Sequence, residues 1–409
     1  MRTSWRAIVN GKSVMLLLMG LVLTGCPGKK VIKKRAVRRA PVLTPAQLAD
    51  QQLQRGNSLL QSGRQSGKVD YAGVEKAYKA VLNHKPNHLI ANYNLGVIYE
   101  EQGKHRNAAV HLVRIANAPE HRQKAALQKK VLMRLAQVYV RMKQFPYAQQ
   151  TLARYQQLEK KWNKNPVFLQ NLATVQVGQK QYSSALKTSR RILALRSDSK
   201  AGYRLIARIY FLQRRYESVQ TVYEIAAQKG AVSAGLYNIC GLSWLKRRNM
   251  PKALAFFKAA VKKNPRHFAS LMNLGMIAIR YQNKGEAERL MQKATEVKPM
   301  SRNAWLSYAV ALRLNGKGQR AREVYLSRLL SRNRNDAAAI FNLGILNLRA
   351  LKQPERARAR FRQYIGLMGD RINRQHSVYR LLKRANRDIK VKQMSAPSKS
   401  RKKPAKASS

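Results

Sequence analysis

Two cysteines, seven histidines and eighteen acids are the scarce groups in this 409-residue chain from which thiol, metal or carboxylate chemistry can be assembled. Cys26 and Cys240 lie far apart, so the chain holds neither a C-x-x-C metal pair nor a disulfide framework. Cys26 sits in "LVLTGCPG", Leu21 to Gly28, where a disulfide half, a metal ligand or a reactive thiol are the first readings. His84 and His88 have i, i+4 spacing, but Pro86 between them places the pair in a turn and not on one helix face. No G-x-S-x-G, phosphate-cradling GK[ST] loop, H-E-x-x-H or EF-hand pattern occurs. The sequence therefore predicts no catalysis, no metal and no cofactor.

What stands out is charge. There are 81 Lys and Arg against 18 Asp and Glu, a formal net charge of +63. Between Ile225 and Gly285 there is no acid at all, against eleven Lys and Arg. Single-sign charge on this scale implies anionic partners: nucleic acid, lipid head groups, acidic polymers or acidic proteins.

The N-terminus narrows the compartment. Arg2, Arg6 and Lys12 precede the ten-residue apolar run Val14 to Leu23, the layout of a secretory leader over residues 1–25. The run is too short to span a bilayer as a helix, which takes ~20 residues. Leu23-Thr24-Gly25-Cys26 resembles the bacterial lipobox. That resemblance implies that Cys26 is lipidated and becomes the first residue of the mature chain. Two or three acyl chains anchor firmly, at ~0.8 kcal/mol per buried CH₂. Pro27, where Asp would retain a lipoprotein in the inner membrane, favours the outer membrane, with the chain facing the periplasm. Residues 26–45 then read as a basic disordered tether, and residues 391–409 as a basic disordered tail.

The body between them repeats. A small residue recurs at Gly96, Ala136, Ala173, Ala207, Gly241, Gly275, Ala309 and Gly344, in steps that settle at 34 residues. Around it stand Tyr237, Cys240-Gly241, Trp244, Ala253, Phe257, Ala260 and Pro265, then Leu274-Gly275, Ala287, Met291, Ala294 and Pro299. This period and pattern resemble the tetratricopeptide repeat. The resemblance covers about residues 46–366, including a degenerate first unit (Leu53, Gly56, Tyr71, Tyr78, Pro86) with an insertion near "GRQSGKVD". It implies an all-α fold: a right-handed superhelical solenoid of about eight to nine helix-turn-helix repeats. Residues 367–390 read as a C-terminal capping helix. Cys240 falls at a Leu-like core position and reads as a small buried hydrophobe.

A solenoid of this kind offers binding surfaces. Asn94, Asn171, Asn273 and Asn342 share one place just before the Leu-Gly pair, and Asn238 lies one residue earlier in its unit. In tetratricopeptide relatives such asparagines line the groove and hydrogen-bond an extended peptide. Basic residues recur where the first helix of a unit turns into the second: Arg141 and Lys143; Arg214 and Arg215; Lys246, Arg247 and Arg248; Arg280 and Lys284; Arg313 and Lys317. They predict a ridge for an acidic protein, lipid phosphates or peptidoglycan carboxylates. The whole layout resembles the tetratricopeptide lipoproteins of adventurous gliding motility, with the pilotins of the type IV pilus second. That resemblance implies a non-catalytic scaffold whose partners are envelope or motility-complex proteins. Nucleic acid is the less favoured partner, because the chain carries an export signal and its aromatics fall mostly at core positions.

Overall fold

The computed structural model describes residues 44–119 and 125–395. Cys26, the leader, residues 26–43 of the tether and the tail beyond residue 395 lie outside the described residues; residues 391–394, read from sequence as the start of the tail, belong to the last helix. Among those described the chain is all-helical, with nineteen α-helices and no strand. They run as packed pairs, an A helix followed by a B helix: α1 (Pro45–Gln65) with α2 (Tyr71–His84), α3 (Leu89–Glu101) with α4 (His105–Asn117), and α5 (Ala125–Arg141) with α6 (Phe145–Leu158). Next come α7 (Pro166–Gly178) with α8 (Tyr182–Leu195), α9 (Lys200–Leu212) with α10 (Tyr216–Gln228), and α11 (Ala234–Lys246) with α12 (Met250–Lys263). The last three pairs are α13 (Phe268–Arg280) with α14 (Lys284–Val297), α15 (Arg302–Leu314) with α16 (Gly318–Val324), and α17 (Ala337–Arg349) with α18 (Pro354–Met368). A final helix, α19 (Ser377–Met394), packs on α17 and α18 through Val378, Ala385 and Ile389.

The recurring small residue works by close approach. A Cβ built on Gly241 would stand 2.6 Å from the Phe257 ring of its own B helix, and one on Gly344 would stand 2.5 Å from Phe361. Both rings are fully buried. In these pairs the A helix thus lies against a large side chain sixteen or seventeen residues on. Pro265 and Pro299 follow α12 and α14 by two residues and stop them.

Departures from the 34-residue step have visible causes. The insertion in the first unit extends α1 to 21 residues. A 3₁₀ turn at Trp162–Lys164 lengthens the link from α6 to α7. The 35-residue step from Ala309 to Gly344 is absorbed by a π-helical segment, Tyr325–Leu330, that continues α16. There the Ser331 amide reaches back five residues to the Leu326 carbonyl.

Seven of the A helices, α3, α5, α7, α9, α11, α13 and α15, end alike. The Arg215 amide donates to the Tyr210 carbonyl at 2.9 Å and the Asn249 amide to the Trp244 carbonyl at 3.0 Å, the six-residue closure of a Schellman turn. The residue before each donor is left-handed, a conformation suited to glycine. Gly103 and Gly316 take it in two of these units, but Lys143, Lys180, Arg214, Arg248 and Gln282 take it in the other five, with φ between 56° and 63°; Gly67 and Lys352 are the left-handed residues after α1 and α17.

A basic groove on the A-helix face

The starts of the A helices are fixed by side-chain caps. Ser199, Ser233, Ser301 and Asp336 accept from backbone amides of the first turn, and so do His88 and His267 through their ring nitrogens. His84 ends α2 and His88 opens α3, so the two lie on either side of a turn. Among the described residues no three His, Cys, Asp or Glu converge as metal ligands would.

With their starts set, the A helices α3, α5 and α7 line up and enclose a groove of about 390 Å³. Its walls carry Lys129, Lys130 and Arg134 from α5, Tyr93 from α3 and Val167 from α7. Arg134 donates to Glu100 at 2.8 Å and lies over the Tyr93 ring at 5.4 Å. Burial disfavours its charge, but Tyr93 and Glu100 outweigh this and keep the guanidinium protonated. Lys129 pairs with Glu159 at 2.8 Å, while Lys130 is exposed and unpaired. Further along the same face, Arg204 of α9 lies over Gly235 of α11, where a Cβ would sit 2.6 Å from its Cδ. Arg204 has no carboxylate partner. Burial, and then the neighbouring Arg208, pull its affinity for a proton down. An unpaired, partly desolvated cation of this kind favours an incoming anion.

The asparagines are only partly available. Asn171 and Asn238 are buried, at 6% and 7% exposure. Asn238 accepts from Asn273 at 2.9 Å and from Ser270 at 3.0 Å, forming a polar link between α11 and α13. Asn171 donates to the Met133 sulfur, Asn94 to the Tyr78 hydroxyl at 2.9 Å, and Asn342 to the Ala338 carbonyl of its own helix. Asn94, Asn273 and Asn342 remain half-buried on the face, with their amide donors engaged within the fold. The sequence reading passed over Arg134, although it lies two residues before Ala136, in the register of the asparagines.

At the other end of the A helices the ridge residues divide. Arg141 pairs with Glu100 at 3.0 Å, Arg247 with Glu217 at 3.4 Å, and Lys317 with Glu288 at 2.8 Å. Arg215 stacks on Tyr210, and the Nε of Arg313 is buried without a partner. Lys143, Arg214, Lys246, Arg248, Arg280 and Lys284 are exposed and unpaired. Three buried acids, Glu100, Glu288 and Asp336, each join one unit to another, so they neutralise the seams and not the surface.

Cys240 is fully buried beneath α12, and burial pushes its thiol up to about 12. It is a packing residue.

Stacked helix pairs, each closed by a small residue under a large one, define an all-α solenoid of the helical-repeat class. Residues 272–328 match the tetratricopeptide-repeat family model. That segment, α13 to α16 with part of the π-helical turn, carries the tetratricopeptide repeat. Among solved structures, the chain is similar to the APC/C hetero-tetramer Cut9-Hcn1, at 13% identity over 84% of this chain and 67% of that one, with a TM-score of 0.46. It is also similar to a tetratricopeptide repeat protein from Parabacteroides merdae (19% identity, 63% and 98% coverage, TM-score 0.36). A third likeness is to the C-terminal part of a repeat-containing protein from Cytophaga hutchinsonii (14% identity, 56% and 96% coverage, TM-score 0.41). These likenesses are distant, and the assignment rests on the chain's own repeat and the family match. No curated protein matches the chain.

Proposed function

We propose that this protein is a non-catalytic scaffold, lipid-anchored at Cys26 in a bacterial outer membrane, that holds acidic segments of envelope proteins against its A-helix face. The groove among α3, α5 and α7 carries the reading. It touches three units and is lined by cations and by aromatic and aliphatic side chains, a lining suited to an acidic segment. A repeat solenoid fixed at one end by a tether is suited to gathering the parts of a multiprotein machine. The overall layout favours a gliding-motility assembly over a pilotin or a peptidoglycan-bound factor.

Two measurements test it. Cys26→Ser should lose palmitate labelling and pass from the membrane to the soluble fraction; equal membrane retention and equal processing would remove the anchor from the account. Lys130→Glu, at the exposed cation of the groove, should cut the envelope proteins recovered by in-cell crosslinking without changing helicity. Recovery of the same proteins in the same amounts would remove the groove.

A further inference from the structure

Four consecutive units end their A helices on a cation held in the left-handed conformation: Lys143 (φ 59°), Lys180 (63°), Arg214 (60°) and Arg248 (61°). All four side chains are exposed, and among the described residues none makes an ion pair or a side-chain hydrogen bond. Glycine suits this backbone position best, and Gly103 and Gly316 occupy it elsewhere in the same solenoid. Retaining a strained residue where an unstrained one is available points to a use for its side chain.

The same edge already shows what it recognises. Arg141, Arg247 and Lys317, all within two residues of a left-handed turn position, each clasp a glutamate of a preceding unit. For the left-handed cations of these four consecutive units, no carboxylate among the described residues lies within ion-pair distance. The A helices α5, α7, α9 and α11 pack in succession. Neighbouring helices lie ~8–10 Å apart, which sets the cations at about that spacing. An extended polypeptide advances ~3.3–3.6 Å per residue, so an acid at every third residue would match the row.

We propose that Lys143, Lys180, Arg214 and Arg248 form a second docking edge, which takes an extended acidic polypeptide segment with carboxylates about three residues apart. The edge lies at the C-terminal ends of the A helices, and none of its four residues lines the groove among α3, α5 and α7. Its failure would therefore leave the groove reading standing.

The test uses the full chain and a fluorescein-labelled peptide of four Glu-Gly-Gly repeats, with fluorescence anisotropy at graded salt. The quadruple glycine variant (K143G, K180G, R214G, R248G) should melt higher than the parent and bind the peptide roughly tenfold or more weakly, at a few-fold per exposed ion pair. The corresponding quadruple glutamine variant keeps the backbone strain and should lose the same binding without the gain in melting temperature. Gln282→Gly, at the equivalent position of the next unit, should raise the melting temperature and leave binding unchanged. Parent-like binding by both quadruple variants would overturn the proposal. So would a parent that binds the Gln-Gly-Gly peptide equally well. A parent that prefers phosphatidylglycerol vesicles or an oligonucleotide of equal charge would overturn the assignment to acidic polypeptide.

Discussion

Asp336 and Arg302 should respond unequally to removal. Asp336 is 3% exposed. It caps α17 through the Ala339 amide at 3.0 Å and takes both arms of Arg302 at 2.6 Å, which joins the eighth helix pair to the ninth. The Arg302 side chain is 49% exposed. In Asp336→Ala, therefore, the guanidinium returns to water. The loss is a helix cap, ~1 kcal/mol, plus the net value of a half-exposed charged pair, ~1–2 kcal/mol. The sum is ~2–3 kcal/mol. In Arg302→Ala the carboxylate stays buried with only amide donors, and an uncompensated buried charge costs ~3–5 kcal/mol. Arg302→Ala should therefore be the worse variant, and adding Asp336→Asn to it should restore part of the loss by neutralising the orphan. Burial pushes the Asp336 carboxyl up, but Arg302 and the helix amides outweigh this and hold it below its usual range. Its contribution is thus complete above the ordinary aspartate range and is lost as pH falls through the depressed value. Urea unfolding followed by circular dichroism gives the free energies. Hydrogen exchange over α17, α18 and α19 tells whether the loss is local, since a repeat array need not unfold as one unit. An Arg302→Ala variant as stable as Asp336→Ala would refute the reasoning.

Three further outcomes follow from the packing. His111 is stacked on Tyr99 with Nδ1 2.9 Å from the Asn92 Oδ1, and burial above all pulls its pKa down to about 4. The unfolded state then holds the extra proton between about 4 and 6.5, so stability should fall as pH drops through that window, by ~1–2 kcal/mol after discounting for solvent around a half-buried ring; a ring titrating near 6.5 by NMR would contradict this. Gly241→Ala should destabilise by ~1–3 kcal/mol through the collision with Phe257, and adding Phe257→Leu should recover part of it in the same urea titration; a neutral Gly241→Ala would contradict the close approach. The Cys240 thiol should react with iodoacetamide only in denaturant, and native labelling at the unfolded rate would show that its site is open.

The repeat register was legible because it is a packing rule written in residue size: small at Gly241 and Gly344, large at Phe257 and Phe361. Ser189 is the informative exception. It occupies the place filled elsewhere by Leu152, Phe257 or Met291, faces Ala173 in sequence register, and is fully buried with an unpartnered hydroxyl. The A-to-B turns were harder to read, because Lys or Arg stands in most units where glycine would have marked the left-handed residue. The seam acids were illegible in local windows, since each meets its partner about one repeat away. Glu100 to Arg134 and Arg302 to Asp336 are both separated by 34 residues, so opposite charges one period apart were the signal available. The asparagine row was readable as a register. Its hydrogen bonding was not, because Ser270 and Asn273 reach Asn238 from another unit.

The central claim is that partners lie on the A-helix face. A photo-crosslinking amino acid placed singly at Gln137 or Arg208 on that face, and at Lys187 or Lys258 on B helices, tests it in living cells at native expression. We expect discrete protein adducts from Gln137 and Arg208, weakened by Lys130→Glu at the first of these, and none from the B-helix positions. Adducts from the B helices alone would contradict the account.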